Sequence, residues 1–84
     1  MKSYSYKTEG VCSSSLSFDI DDENRIRNIQ FVGGCNGNLK GIGSLAEGMK
    51  ADEAAAKLEG IRCGFKNTSC PDQLAKAIFE AEKQ

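Results

Sequence analysis

The stretch LSFDIDDENRIRNIQFV, residues 16–32, decides the fold of this chain. Leu16, Phe18 and Ile20 alternate with polar residues, as the residues of a half-buried strand do. The polar run DDEN at residues 21–24 follows at once and is typical of a turn. A second alternating run comes after it, so the stretch predicts two antiparallel strands joined by a hairpin.

Two details extend this hairpin. Ile26 is out of phase with Ile29, which predicts either a β-bulge or an edge twist in the second strand. Upstream, Tyr4 and Tyr6 also alternate with polar residues and predict a further strand. Together these runs predict an antiparallel meander of three strands.

The apolar spacing then becomes helical, and the residues that carry it are Leu39, Ile42, Leu45, Ala46 and Met49. Asn38 is the expected N-cap of this helix and Gly48 its expected end. Gly41 and Gly43 would weaken the helix by roughly 1 kcal/mol each relative to alanine. Their presence predicts that another backbone packs closely against them.

Two more helices are predicted. The first spans about Asp52 to Leu58 and is closed by Gly60. In the second, Ser69 and Asp72 have the spacing of a capping box. Its apolar face consists of Leu74, Ala77, Ile78 and Ala81. Strands followed by helices indicate an α+β fold, a single domain over residues 1–84 with the helices on one face of the sheet.

Composition excludes several classes of function. The 84 residues carry 11 basic and 12 acidic side chains, and this balance gives no signal for a nucleic-acid partner. No apolar stretch approaches the roughly 18 residues that a membrane span needs. The chain has no histidine, so a His-based triad or a His-ligated metal is impossible.

The four cysteines are Cys12, Cys35, Cys63 and Cys70. Because no secretory signal is recognisable at the N-terminus, we expect a cytoplasmic, reducing compartment, where cysteines more often serve metal or redox chemistry. All four are expected at the ends of strands or helices. Three readings stay open: a shared zinc or iron–sulfur site, a redox pair of Cys63 with Cys70, and inert buried thiols.

A further candidate site lies in the glycine-rich turn that leads into the first helix. The N–H groups at Gly37 and Asn38, with Lys40 nearby, could hold the phosphate of a nucleotide. The turn matches neither the P-loop nor the dinucleotide-binding motif. Tight packing of the turn is the alternative interpretation.

Three segments resemble the TSCPD-domain family: FVGGCNGNL at residues 31–39, GIRCG at 60–64 and TSCPDQLA at 68–75. The family takes its name from the five residues that stand here at Thr68 to Asp72, and the resemblance covers nearly the whole chain. Family members occur alone or as a terminal domain of large ribonucleotide reductases, mostly those that depend on adenosylcobalamin. The resemblance therefore implies a role related to deoxyribonucleotide and DNA synthesis.

Length limits that implication, because 84 residues cannot contain the catalytic barrel of a reductase. The resemblance implies an accessory that binds metal, delivers thiols or binds nucleotide, with a ribonucleotide reductase or a nucleotide as partner. It leaves open whether the chain is itself an enzyme.

The order of elements is also similar to NifU-like iron–sulfur scaffold proteins. By position Cys12, Cys35 and Cys70 match the three ligands of those scaffolds, and Cys63 would be a fourth. The acidic residue that follows the first ligand in the scaffolds is replaced here by Ser13 and the two serines after it. This departure favours a closed Cys₄ zinc site over a site for cluster transfer.

Overall fold

A computed structural model describes residues 1–8, 13–33, 36–62 and 68–83, with the backbone alone at 36–38. The strands are β1 (Lys2–Lys7), β2 (Ser13–Ile20) and β3 (Ile26–Gly33). They form one antiparallel sheet in the order β1-β2-β3. The predicted three-stranded meander is confirmed.

The register places the apolar side chains on one face of the sheet. Phe18 on β2 lies opposite Tyr4 on β1, and their rings stack with centroids 5.6 Å apart. Leu16 lies between Tyr6 on one side and Phe31 on the other. This face is covered, whereas the opposite face carries polar side chains such as those of Ser5, Ser17 and Gln30, which are exposed or half-buried.

The turn between β2 and β3 is built on the Asp21 carboxylate. Its Oδ1 accepts hydrogen bonds from the N–H groups of Glu23 and Arg25, both at 2.9 Å. Its Oδ2 accepts from Arg27 Nε at 3.1 Å. An aspartate at the start of a turn commonly bonds the backbone in this way, so the predicted hairpin has a local physical cause.

The predicted bulge is also present. Ser17 lies opposite Gln30 but Asp19 lies opposite Arg27, so β3 has one extra residue between these pairs. Asn28 lies within the bulge with φ of 55°, in the left-handed region that asparagine tolerates better than most residues. The extra residue explains why Ile26 and Ile29 are out of phase in the sequence and still face the same side.

The helices are α1 (Asn36–Ala46), α2 (Ala51–Leu58) and α3 (Cys70–Glu82). The sequence-based start of α1, with Asn38 as N-cap, is wrong, because the helix begins at Asn36 and Asn38 lies within its first turn. The first turn contains no apolar residue before Leu39, so hydrophobic periodicity could not reveal it. Within the described residues, no helix is long and apolar enough to span a membrane.

The core lies between the sheet and the last two helices. Leu16, Phe18 and Ile26 from the sheet pack with the small side chains of α2 and with Leu74 and Ile78 of α3. The face of α3 predicted from the sequence is therefore the buried face. Alanines on α2 let the two helices approach closely, which leaves little room for larger side chains.

The segment between α1 and α2 covers part of the outer edge of β3. Ile26 donates its N–H to the Met49 carbonyl at 2.9 Å, and Gly48 donates to the Ile26 carbonyl at 2.8 Å. Gly48 has φ of 84°, as a glycine that ends a helix commonly has. Gly43 packs against β3, since a Cβ built on it would lie 3.6 Å from the Ile29 carbonyl oxygen.

Candidate functional site

The five residues Thr68 to Asp72 lie where α3 begins. Ser69 is the N-cap, with extended backbone, and its Oγ accepts a hydrogen bond from the Asp72 N–H at 3.2 Å. Pro71 stands in the first turn, where a missing N–H breaks no helical hydrogen bond. The predicted N-cap is confirmed.

The Asp72 side chain departs from the capping-box pattern. It does not return to the N-cap but reaches the end of α2, where its Oδ1 accepts the Gly60 N–H at 2.7 Å. Its Oδ2 accepts the Thr68 hydroxyl and lies 3.2 Å from Lys76 Nζ. The carboxylate thus links two helices that the sequence places on either side of an irregular segment.

These contacts decide the charge state of the Asp72 carboxyl, whose side chain is almost wholly buried. Burial raises its pKa, but the Thr68 hydroxyl, the Gly60 amide and the Lys76 ammonium together outweigh burial. The net effect is a pKa below the usual aspartate value, so the carboxylate is ionised at neutral pH.

Two further hydrogen bonds complete the junction. The Ser69 hydroxyl donates to the Ile61 carbonyl at 2.7 Å, and Gln73 Nε2 donates to Thr68 Oγ1 at 3.1 Å. Thr68, Ser69 and Asp72 therefore stabilise the junction through their side chains. Cys70 is the residue of the motif that could provide a reactive or metal-binding group.

Cys70 opens α3 and is buried, with 6% of its surface exposed. Its Sγ lies 3.1 Å from Oγ of Ser13, a buried serine at the first position of β2. Ser13 pairs with Gly33 at the last position of β3, and its carbonyl accepts the Thr8 hydroxyl at 2.5 Å. The start of β2 therefore contacts the Cys70 thiol at the start of α3, and the end of β3 lies beside that contact as the strand partner of Ser13.

Three of the four predicted thiol ligands, Cys12, Cys35 and Cys63, lie outside the described residues. Within the described ranges no three histidine, cysteine, aspartate or glutamate side chains are grouped so that they could hold a metal ion. Sequence reasoning overlooked Ser13, because nothing in a run of serines marks the one that contacts a thiol 57 positions away.

The candidate nucleotide site lies in the first two turns of α1. Gly37 and Asn38 belong to its first turn, and Lys40 is exposed one turn further. Lys40 lies between two clefts, of about 330 and 370 Å³, that share Ile29 and Gln30 in their walls. The structure thus places Lys40 beside an open groove along the outer edge of β3.

Comparison with known proteins gives one match. The family model described as TSCPD domain matches residues 2–82, nearly the whole chain, including the junction at Thr68 to Asp72. No curated protein and no solved structure matches. The family match covers nearly the whole chain and agrees with the resemblance in the three sequence segments, so this chain belongs to the TSCPD-domain family.

Proposed function

We propose that this TSCPD domain, a ribonucleotide-reductase-related module, binds one zinc ion or one iron–sulfur cluster through Cys12, Cys35, Cys63 and Cys70. The observation that carries the proposal is the contact of the Cys70 thiol with Ser13 at the start of β2, whose strand partner Gly33 ends β3. The module would act as an accessory in deoxyribonucleotide synthesis, with a reductase as partner, as the relation of its family to ribonucleotide reductases suggests.

Chain connectivity links the contact between Ser13 and Cys70 to two of the other cysteines. Cys12 directly precedes Ser13, whose Oγ contacts the Cys70 thiol. Cys35 follows two residues after Gly33, the strand partner of Ser13. Consecutive Cα atoms are about 3.8 Å apart, so this connectivity limits how far either cysteine can lie from the end of the sheet.

The donor chemistry favours a thiolate site. The chain has no histidine, and a soft all-sulfur donor set suits zinc or an iron–sulfur cluster rather than magnesium or calcium. The partial positive charge at a helix N-terminus stabilises an anion there, and Cys70 stands in the first turn of α3.

Metal analysis of untagged protein prepared without oxygen tests the proposal. We expect about one equivalent of zinc, or an iron and sulfide content that fits one cluster. Serine variants of each cysteine should lower the metal content, and the Ser17→Ala variant on the open face of the sheet should leave it unchanged. Protein that contains less than about a tenth of an equivalent of either metal, and takes up none on reconstitution, contradicts the proposal.

A second candidate function rests on the groove beside Lys40. Lys40 is exposed, has no ion pair among the described residues and flanks two clefts, so it is free to contact a nucleotide phosphate. The N–H groups in the first turn of α1, at Gly37 and Asn38, would add to phosphate binding. An NMR titration with nucleotides should shift the signals of these three residues, and the Lys40→Ala variant should weaken the shift. Unchanged signals there contradict this function.

A further inference from the structure

α1 and α2 enclose a cleft that the fold leaves open. Its volume is about 200 Å³. Lys57 is the polar residue in the lining, and the others are Ile42, Leu45, Ala46, Met49, Ala54 and Leu58. A cavity of about 150 Å³ can hold a benzene-sized molecule, so the cleft has room for a large apolar side chain.

An exposed leucine stands at the rim of this cleft. Leu45 has 81% of its surface exposed, the most of any large apolar side chain in the described residues. One turn earlier on the same side of α1, a Cβ built on Gly41 would meet nothing within 4 Å. The close packing that the sequence predicts at Gly41 is therefore not supplied by the described part of this chain.

α2 carries two opposite charges one turn apart, and the second of them, Lys57, lines the cleft. Glu53 and Lys57 are one turn apart on α2, and both are exposed. No ion pair joins them to each other or to other described residues. When two copies of such a helix meet antiparallel, each glutamate faces the other copy's lysine, so this side of α2 is complementary in charge to itself.

We propose that the cleft between α1 and α2 binds a second copy of this chain. A two-fold axis would place Leu45 of each copy in the cleft of the other and pair Glu53 with Lys57 across the interface. The choice of a second copy rests on this self-complementarity, because Leu45 and Lys57 both line the cleft and Glu53 lies one turn from Lys57 on the same side of α2. A central apolar contact with charged residues around it is the usual anatomy of a protein interface.

Sedimentation equilibrium between about 10 µM and about 1 mM protein tests this dimer. We expect the wild-type chain to dimerise in this range, and Leu45→Glu to raise the dimer Kd by at least about tenfold, as loss of a central apolar anchor does. Val32→Glu is the matched control, since Val32 is an exposed apolar residue on β3 and should leave the Kd unchanged. A wild-type chain that stays monomeric throughout, or a control that weakens the dimer equally, overturns the proposal.

Charge reversal tests the pairing without touching an apolar side chain. Glu53→Lys and Lys57→Glu should each raise the dimer Kd, and the double variant should restore it because the pairs form again with opposite sign. Circular dichroism confirms that each variant is folded. A double variant whose dimer Kd is as high as that of either single variant contradicts the two-fold arrangement. Binding of an amphipathic peptide at Leu45 by a wild-type chain that remains monomeric contradicts it as well.

Discussion

Two aspartates, one in the hairpin and one at the start of α3, stabilise their surroundings by similar bonds but with different consequences. The Asp21 carboxylate accepts two backbone N–H groups and pairs with Arg27. The Asp72 carboxylate accepts a backbone N–H and a hydroxyl and pairs with Lys76. Asp21 has partners within six residues along the chain, whereas Asp72 reaches back twelve residues to Gly60.

Burial also separates the two. The Asp72 side chain has 6% of its surface exposed, against 17% for Asp21, and its partner Thr68 is buried as well. A hydrogen-bonding group that loses its partner in the interior has no water to replace it. Similar bonds therefore stabilise a local hairpin at Asp21 and the junction of two helices at Asp72.

Removal of the buried carboxylate should have the largest effect. We expect Asp72→Ala to lower the free energy of unfolding by about 3 kcal/mol, because it leaves the Gly60 amide and the Thr68 hydroxyl without their partner. Urea denaturation followed by circular dichroism measures this loss. Asp52→Ala, an exposed aspartate in the first turn of α2, is the control and should cost less than about 0.5 kcal/mol. Equal losses for both variants would contradict the special role of Asp72.

The same substitution in the hairpin should cost less. We expect Asp21→Ala to lower the free energy of unfolding by clearly less than Asp72→Ala does, since water can reach the freed N–H groups of the turn. The measurement is the same denaturation series. A loss larger than that of Asp72→Ala would reverse the comparison.

The two carboxylates should also make the protein sensitive to acid. Hydrogen bonds from the Arg25 backbone, more than the nearby Arg27, lower the pKa of Asp21, and the pKa of Asp72 is also lowered. Stability from a lowered pKa is present above the unfolded aspartate value of about 3.9 and is lost as the pH falls through the folded value. Asp72→Asn and Asp21→Asn should each flatten the loss of stability between about pH 5 and 2. An acid limb as steep as that of the wild-type protein contradicts this assignment.

The smallest loss of stability is expected when Lys76, the cation that pairs with Asp72, is replaced. Lys76 is half exposed, so its pair with Asp72 should contribute at most about 1 kcal/mol. Lys76→Ala should therefore cost far less than Asp72→Ala, and the cost should shrink at high salt. Denaturation at low and high sodium chloride concentrations measures both. A loss as large as that of Asp72→Ala would mean that the ion pair, rather than the hydrogen bonds, stabilises the junction.

The local features of this protein could be predicted from its sequence. The hairpin at Asp21, the bulge in β3, the N-cap at Ser69 and the buried face of α3 all depend on residues a few positions apart. Their causes are alternation, side-chain bonds to nearby N–H groups and helical periodicity, and each of these can be read within a short window. The prediction of where α1 begins was wrong because residues 36–38 include no apolar side chain.

The sequence alone determined the fold class, the order of elements, the family and the four thiols that carry its candidate chemistry. The tertiary structure decided what those elements bring together: Asp72 with Gly60, Cys70 with Ser13, and Leu45 at the rim of an open cleft. Each of these features brings together parts of the chain that are separated in the sequence. They depend on how the helices pack on the sheet. Hydrophobic burial drives that packing and is non-directional, so the local sequence does not specify which residues will meet.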